Sequence, residues 1–496
     1  MDNESTLNRS TFLRSFNRLV YGKNNKWAGA KFAIEDNEQI VINTDSLTPL
    51  SQKFKAYEAF FGIGDSTKVF AEVGYIKRFN DSLRNNTLQR VNSSNTYYLK
   101  SRLIQNKNTN LQLFVNYRDL KSEDESIQNE QSLNSRLSFN QKLFNNLILW
   151  NTSFETNSGT LPQQDFTYIE VEAGQGAYTW IDYNENSIQE LNEFEIAAFS
   201  DQAIYIRVFT PNNNYVKIYS FQYNQNLNID FRKLANGKTY LEKFINKFYN
   251  QTAINTNKKT NYLDFETLVN PLVNVDNPII QQMSNSLRNS LFFNRSSSKY
   301  SLEFVNQLFA NKNLLINGTD FKSTDKKQIK LRWNLNRKLM LNSQVNRELK
   351  KNSSTYMENR NFNLENKEIN NRISYQPNTL FRLAFNGRYS EKRNAVEYGN
   401  ETAYLQDFGF ELRKSKRDKG LLNGEIHFVK INYKGESNST IGFEMLEGLQ
   451  VGQNTTWRIG FQKNMSNNIQ ISINYNGRKS ENNKAVHNGS MQMRAF

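Results

Sequence analysis

The chain of 496 residues contains no cysteine, 6 prolines and 2 histidines. Without cysteine there are no disulfides, no thiolate nucleophiles and no Cys-type zinc sites. With only His427 and His487, histidine-based metal centres and catalytic triads are nearly excluded. No window approaches the ~18 to 20 uncharged apolar residues that a membrane-spanning helix requires. Hydrophobic residues make up 37% and mean hydropathy is -0.74, too little to fill the cores of several conventional domains. The opening residues, Met1-Asp2-Asn3-Glu4-Ser5, show neither the basic nor the apolar region of a signal peptide.

Other features are abundant. Aromatics reach 13%, with 24 Tyr and 35 Phe, which argues against disorder. There are about 75 asparagines, far above ordinary usage. Asn favours turns and is depleted in strands and helix interiors. Net charge is +15. A basic chain invites a nucleic-acid reading. Here Lys and Arg are scattered, and the longest block is Arg413-Lys414-Ser415-Lys416-Arg417, so the charge reads as solvated lysine and arginine.

Period-two alternation dominates. Ile329, Leu331, Trp333 and Leu335 alternate with Lys330, Arg332, Asn334 and Asn336. Ile469, Ile471, Ile473 and Tyr475 do the same, as do Leu111, Leu113, Val115 and Tyr117, and Phe381, Leu383, Phe385 and Tyr389. Each such strand has one apolar and one polar face. A soluble sandwich would pack the apolar faces inward; a transmembrane barrel would turn them to lipid around a polar lumen.

The connections favour the barrel. Short turns are expected around 106–109, 145–146, 311–313, 337–338, 377–379 and 464–467. Longer polar excursions are expected at 79–94, 119–130, 158–213, 254–285, 350–361, 391–402, 434–455 and 479–486. Short and long connections largely alternate, as in barrels with short periplasmic turns and long outer loops. The expected fold is therefore all-β: a transmembrane antiparallel up-and-down β-barrel of about 18 strands, with 16 to 20 allowed. That count requires residues around 286–310 to be one long or broken strand. Residues 1–50 form an N-terminal segment and 51–496 the barrel, with 158–213 as a large extracellular loop. Trp150, Trp333 and Trp457 fit either interfacial girdles or cross-strand packing.

The 158–213 excursion carries the one specific motif. Asp182, Asn184 and Asn186 occupy positions 1, 3 and 5 of a twelve-residue calcium loop. Ile188 stands at position 7, where the backbone carbonyl coordinates, with Glu190 at position 9 and Glu193 at position 12. Calcium takes 6 to 8 hard oxygens, which alternate residues of a tight loop can supply. Ser187 replaces the glycine that makes the sharp turn at position 6. The expected ion is a structural Ca2+ stiffening the loop. Gly174-Gln175-Gly176 lacks the strand–helix context of a phosphate loop. No catalytic constellation emerges, and the chain is not expected to be an enzyme.

The chain ends Met491-Gln492-Met493-Arg494-Ala495-Phe496. A C-terminal aromatic closing an amphipathic strand resembles the signal by which barrel insertion machinery recognises outer-membrane proteins. Three segments together resemble large, mostly uncharacterised outer-membrane barrel proteins of Bacteroidota: Tyr178 to Phe194 continuing through Asp201 to Phe209, Met445-Leu446-Glu447-Gly448-Leu449-Gln450, and Gly477-Arg478-Lys479 to Phe496. The resemblance covers about the last two-thirds of the chain. It implies a cell outer-membrane location, contact with outer-membrane lipid, and a chain shortened at its N-terminus. Family members commonly have Gly where Ser187 stands, which bears on cation affinity. The resemblance supplies no substrate and no surface or periplasmic partner. The expected role is transport, surface assembly or adhesion. The rivals are a soluble secreted all-β binding protein and a basic nucleic-acid-binding β protein.

Overall fold

The computed structural model describes the chain except residues 1, 5–7, 127–128, 235–236, 238, 265–266, 268–276, 316–317, 417–419, 467–468, 482 and 496. The chain-terminal Phe496, offered above as an insertion signal, lies outside the described residues, as do parts of the 119–130 and 254–285 excursions. The fold is all-β and antiparallel, running up and down, and divides into two compact units.

The first unit comprises residues 1–161, 216–227 and 255–280. Its strands are β1 (Asn8–Lys23), β2 (Lys26–Val41), β3 (Gln52–Gly64), β4 (Phe70–Arg84), β5 (Thr87–Gln105), β6 (Thr109–Ser122), β7 (Glu130–Leu143) and the first part of β8 (Ile148–Glu170). Each pairs antiparallel with the next. The 1–50 segment thus contributes a hairpin that pairs directly onto β3.

The second unit comprises residues 162–215, 228–254 and 281–496. After β9 (Tyr205–Asp230), helix α1 (Tyr240–Ile245) and β10 (Phe248–Thr260) comes a long meander. It runs through β11 (Ile280–Phe293), β12 (Tyr300–Leu315), β13 (Gly318–Asn334), β14 (Leu339–Ser354), β15 (Phe362–Asn378) and β16 (Phe381–Asn394). It continues through β17 (Thr402–Lys416), β18 (Gly420–Lys434), helix α2 (Thr440–Leu446), β19 (Gly452–Ser466), β20 (Ile469–Ser480) and β21 (Val486–Ala495). From β11 to β21 every strand pairs with its sequence neighbours.

The number of long strands exceeds the expected range because two stretches behave differently from expectation. Asn311 and Asn313 do not turn; they continue β12, facing Lys322 and Asp320. The reversal comes earlier, at 294–299, so 286–310 is the end of one strand and the start of another. Ladder hydrogen bonds outweigh the turn preference of Asn here. The other addition is the β1–β2 hairpin.

The asparagine excess has a conformational use. Of the thirteen described non-glycine residues with positive φ, eight are Asn. Consecutive pairs Asn24-Asn25, Asn85-Asn86 and Asn145-Asn146 all lie in the left-handed region. At Asn24-Asn25 and Asn85-Asn86 the two successive positive φ values make the two-residue type I′ reversal that suits twisted hairpins, and Asn tolerates them; at Asn145-Asn146 the run begins one residue earlier, at Phe144, in a four-residue loop.

The two sheet faces are inverted relative to a soluble protein. Phe304, Ile329, Val345, Ile369 and Tyr389 form a continuous cross-strand row through β12–β16. Their exposures run from 40% at Ile369 to 47% at Val345. The opposite face holds polar groups that are sheltered: Ser390 is 0% exposed, Lys392 4% and Asn346 4%. It also carries ion pairs, including Arg372–Glu411 at 2.5 Å and Arg388 with Glu368 and Asp407. The first unit repeats the pattern: Phe61 faces Val73 on the exposed side, while Lys31, Glu58 and Tyr98 bond one another on the other. Trp333 is exposed on the apolar face of β13, and Trp150 packs edge-on against Phe139 at 5.2 Å.

Candidate functional site

The connection between β8 and β9 narrows to 171–204, because both strands run further than apolar alternation indicates. Within it, Tyr178–Trp180 pairs antiparallel with Phe194–Ile196. Gly176 allows the chain to pass close to β9: a Cβ there would stand 2.6 Å from the Tyr205 nitrogen. The glycines of Gly174-Gln175-Gly176 serve this approach, both donating to the Ala203 carbonyl. Phe194 is the hub. It stacks on Tyr168 at 4.0 Å and meets Tyr205 edge-on at 5.0 Å. Such pairs contribute ~0.5 to 1.5 kcal/mol each beyond burial.

Polar clamps from distant strands hold this excursion. Arg360, in the 355–361 loop, donates to the carbonyls of Asn192 and Phe194, both at 2.9 Å, and to Glu195 Oε2 at 2.8 Å. Tyr183 donates its hydroxyl to Glu195 Oε1 at 3.1 Å. Burial pushes the Glu195 carboxyl up, and Arg360 offsets only part of that shift. Burial likewise raises the Tyr183 phenol. Arg478 of β20 donates to Asp201 at 2.6 Å and lies over the Phe199 ring at 4.5 Å.

A second connection, 435–451, folds onto the sheltered face. Ser439 caps α2 by accepting from the Gly442 N–H. Met445 and Leu446 then pack into a core of Phe362, Leu364, Leu405, Val429 and Ile431. Leu364 shares its strand face with Glu368, so this apolar cluster sits on the polar side of the sheet. Beyond it, Glu447 adopts a left-handed backbone at φ 57 and takes a bidentate pair from Arg388 at 3.0 and 2.7 Å. Lys392 adds a bond at 2.9 Å and also donates to the Met445 carbonyl. Burial alone would raise the Glu447 carboxyl; Lys392 and Arg388 more than offset it and take it down to about 2. Asp407 joins Arg388 to His427, whose Nδ1 is 2.8 Å away.

The two connections meet. Asn438 donates to the carbonyls of Tyr183 and Asp182. Gly448, at φ 73, lies where a Cβ would be 2.4 Å from the Ala198 Cβ. The three segments quoted above for their resemblance are thus brought together in one cluster. Gly448→Ala is expected to weaken this docking by ~2 kcal/mol through left-handed strain and overlap. Limited proteolysis should show cleavage within 171–204 and 435–451 accelerated about tenfold or more.

The calcium-motif residues separate into two groups. Asp182 accepts from the N–H groups of Asn186 and Ser187 at 3.1 and 2.8 Å. Asn184 and Asn186 both bond Glu190. Ser187, at φ 60, adopts the left-handed turn that position 6 demands. Ile188 is exposed, and its N–H donates to Asn186. Glu193 has a different set of partners. It is fully buried and accepts from the Trp180 indole at 2.8 Å and from the N–H groups of Tyr183 and Glu190. The oxygens of Asp182, Asn184, Asn186 and Glu190 thus accept N–H donors from within the loop itself, whereas those of Glu193 also accept from the Trp180 indole outside it. Among the described residues no group of three or more His, Cys, Asp or Glu stands close enough to hold a metal.

No protein-family model and no curated protein matches the chain. Several solved structures do. The ferric-catecholate import receptor Fiu from E. coli K12 is 8% identical, with 96% of this chain and 76% of that one covered, at a TM-score of 0.32. The FrpB iron transporter from Neisseria meningitidis is also 8% identical, covering 95% and 76%, at 0.37. The copper transporter OprC is 9% identical, covering 98% and 80%, at 0.35.

Proposed function

We propose that the chain is an outer-membrane β-barrel protein of the Bacteroidota kind that its three segments resemble. Its polar face would line a lumen narrowed by the 171–204 and 435–451 connections. The observation that carries this reading is the inversion of the faces, with apolar rows exposed and ion pairs sheltered. Exposed contiguous apolar surface on this scale needs a lipid partner. Of the three roles, transport is favoured over adhesion or surface assembly. An adhesive loop presents itself outward, whereas these connections are folded back and clamped by Arg360, Arg388 and Arg478. The protein should require detergent, migrate differently on gels before and after boiling, and give a low, fluctuating conductance in planar bilayers. Solubility without detergent would favour the secreted binding protein instead; a large steady conductance would defeat the narrowed lumen.

A structural Ca2+ is part of the proposal, held by Asp182, Asn184, Asn186 and Glu190 with the Ile188 carbonyl, while Glu193 braces the loop from Trp180. The ion would bridge strands of the loop and supply no chemistry. Millimolar Ca2+ is expected to protect 171–204 from protease. Ser187→Gly should raise the affinity several-fold by removing ~1 kcal/mol of left-handed strain. Protection unchanged by Ca2+ in both proteins would remove the ion from the account.

A further inference from the structure

A cavity of about 260 Å3 lies in the second unit, between the 166–207 region, β13, β14 and α2. Its walls are unusual in combining rings with unneutralised cations. Phe166, Tyr168, Tyr178 and Phe194 supply one wall. Five cationic residues border it against three carboxylates. Two of those cations are already matched: Arg360 with Glu195 at 2.8 Å and Lys350 with Glu444 at 2.6 Å. Arg207, Lys322 and Lys351 then remain against Asp320 alone.

Arg207 is held by rings instead of by a carboxylate. Its guanidinium carbon lies 5.4 Å from the Phe166 centroid, 5.7 Å from Tyr178 and 4.9 Å from Phe209. Cation–π contacts of this kind position a guanidinium without neutralising it. Among the described residues neither Arg207 nor Lys322 forms an ion pair. Lys322 borders the same cavity, two positions along β13 from Asp320. A ring-oriented guanidinium and an ammonium on one small concave site suit a planar anion.

We propose that this cavity binds a small organic carboxylate with an aromatic or other flat apolar body. The carboxylate would accept from Arg207 and Lys322, and the body would lie against Tyr168 and Phe166. The volume sits at the small end for ligand sites, which limits the guest to a single ring or its equivalent. The inference deepens the transport reading by naming a solute class at the narrowing. Its test does not depend on conductance, so either can fail alone.

The test is calorimetric titration of the full chain in detergent, with folding verified by the gel shift on boiling. The probes are phenylacetate, phenethylamine and inorganic phosphate. Phenylacetate should bind saturably and weaken as salt rises. Phenethylamine, with the same ring and the opposite charge, should bind at least about tenfold more weakly. Arg207→Gln should lose about tenfold or more in phenylacetate affinity. Lys322→Gln, which removes no ion pair and so spares folding, should lose several-fold. Any of three results overturns the proposal: no saturable phenylacetate binding by the folded protein, equal binding of phenethylamine, or phosphate binding as tightly as phenylacetate. Unchanged affinity in the folded Lys322→Gln protein would remove Lys322 from the site and with it the paired-cation recognition proposed.

Discussion

Replacing Glu447 by Gln is expected to release residues 435–451 from the sheltered face. The substitution keeps the side chain's shape and removes its charge. Lys392, 5% exposed at its side chain, would then keep only neutral acceptors, the Gln amide oxygen and two backbone carbonyls. Arg388 would retain Glu368 and Asp407 at 3.7 and 3.5 Å, so the loss falls mainly on Lys392. Removing one partner from a buried ion pair costs ~3 to 5 kcal/mol. Glu447 itself keeps 33% of its side chain accessible, so the lower end applies. About 3 kcal/mol corresponds to an open fraction roughly 100-fold larger. Protease cleavage within 435–451 should rise by that order, and bilayer conductance should become larger and steadier. Unchanged cleavage would mean that the Met445–Leu446 core alone holds the connection.

The pH dependence follows from the same triad. The folded Glu447 carboxyl lies at about 2, below the ~4.3 of an unperturbed Glu. A depressed carboxylate stabilises above its unfolded value and loses that contribution as pH falls through the folded one. Opening should therefore be flat from neutral pH down to about 5, then grow between about 4 and 2. In the Glu447→Gln protein this acid limb should disappear.

Much of the fold was legible because period two is a local signal. Ile329, Leu331 and Trp333 announce both a strand and its exposed face. Asn pairs mark reversals, and Asn145-Asn146 falls where it was expected. The extent of the strands was less legible. Residues 79–94 read as an excursion, yet Asn80 pairs with Asn92 and the ladder runs on to the Asn85-Asn86 reversal. The β4 part of this section is half-buried along its length and mostly polar, so no apolar alternation announces it. The candidate site was least legible. Arg360 reaches Glu195 across 165 positions and Arg388 reaches Glu447 across 59, so no local spacing could reveal either pair. One hint was present: a lone carboxylate, Glu447, inside Met445-Leu446-Glu447-Gly448-Leu449. Glu193 matched a ligand position, but Trp180 and two backbone N–H groups take its oxygens, which spacing alone does not reveal.

Placing a charge on the exposed apolar face should be far more damaging than placing one on the sheltered face. Ile373 faces Leu341 and Phe385 across its neighbouring strands and is 44% exposed. In water, a change at so open a position shifts stability by about 0.5 kcal/mol or less. In a bilayer, Lys on the lipid face near the midplane costs ~2 to 4 kcal/mol. Ile373→Lys should then lower the folded-to-unfolded ratio in lipid vesicles by roughly 30- to 1000-fold. Urea titration of the protein refolded into vesicles, read by gel migration without boiling, measures this directly. Gln344→Lys is the control. It lies on the polar face of β14, one position from the Ile329–Val345 row, opposite Lys330 and Asn370, with Glu303 beyond Lys330 to offset the added charge. Its cost should stay within about 1 kcal/mol, the size of a cross-strand like-charge pair. The contrast between the two proteins matters more than either value. A soluble chain would tolerate the first substitution better than the second, because it would bury what is here the polar side. An outer-membrane chain must show the reverse order, since the solvent against each face decides which side may carry charge.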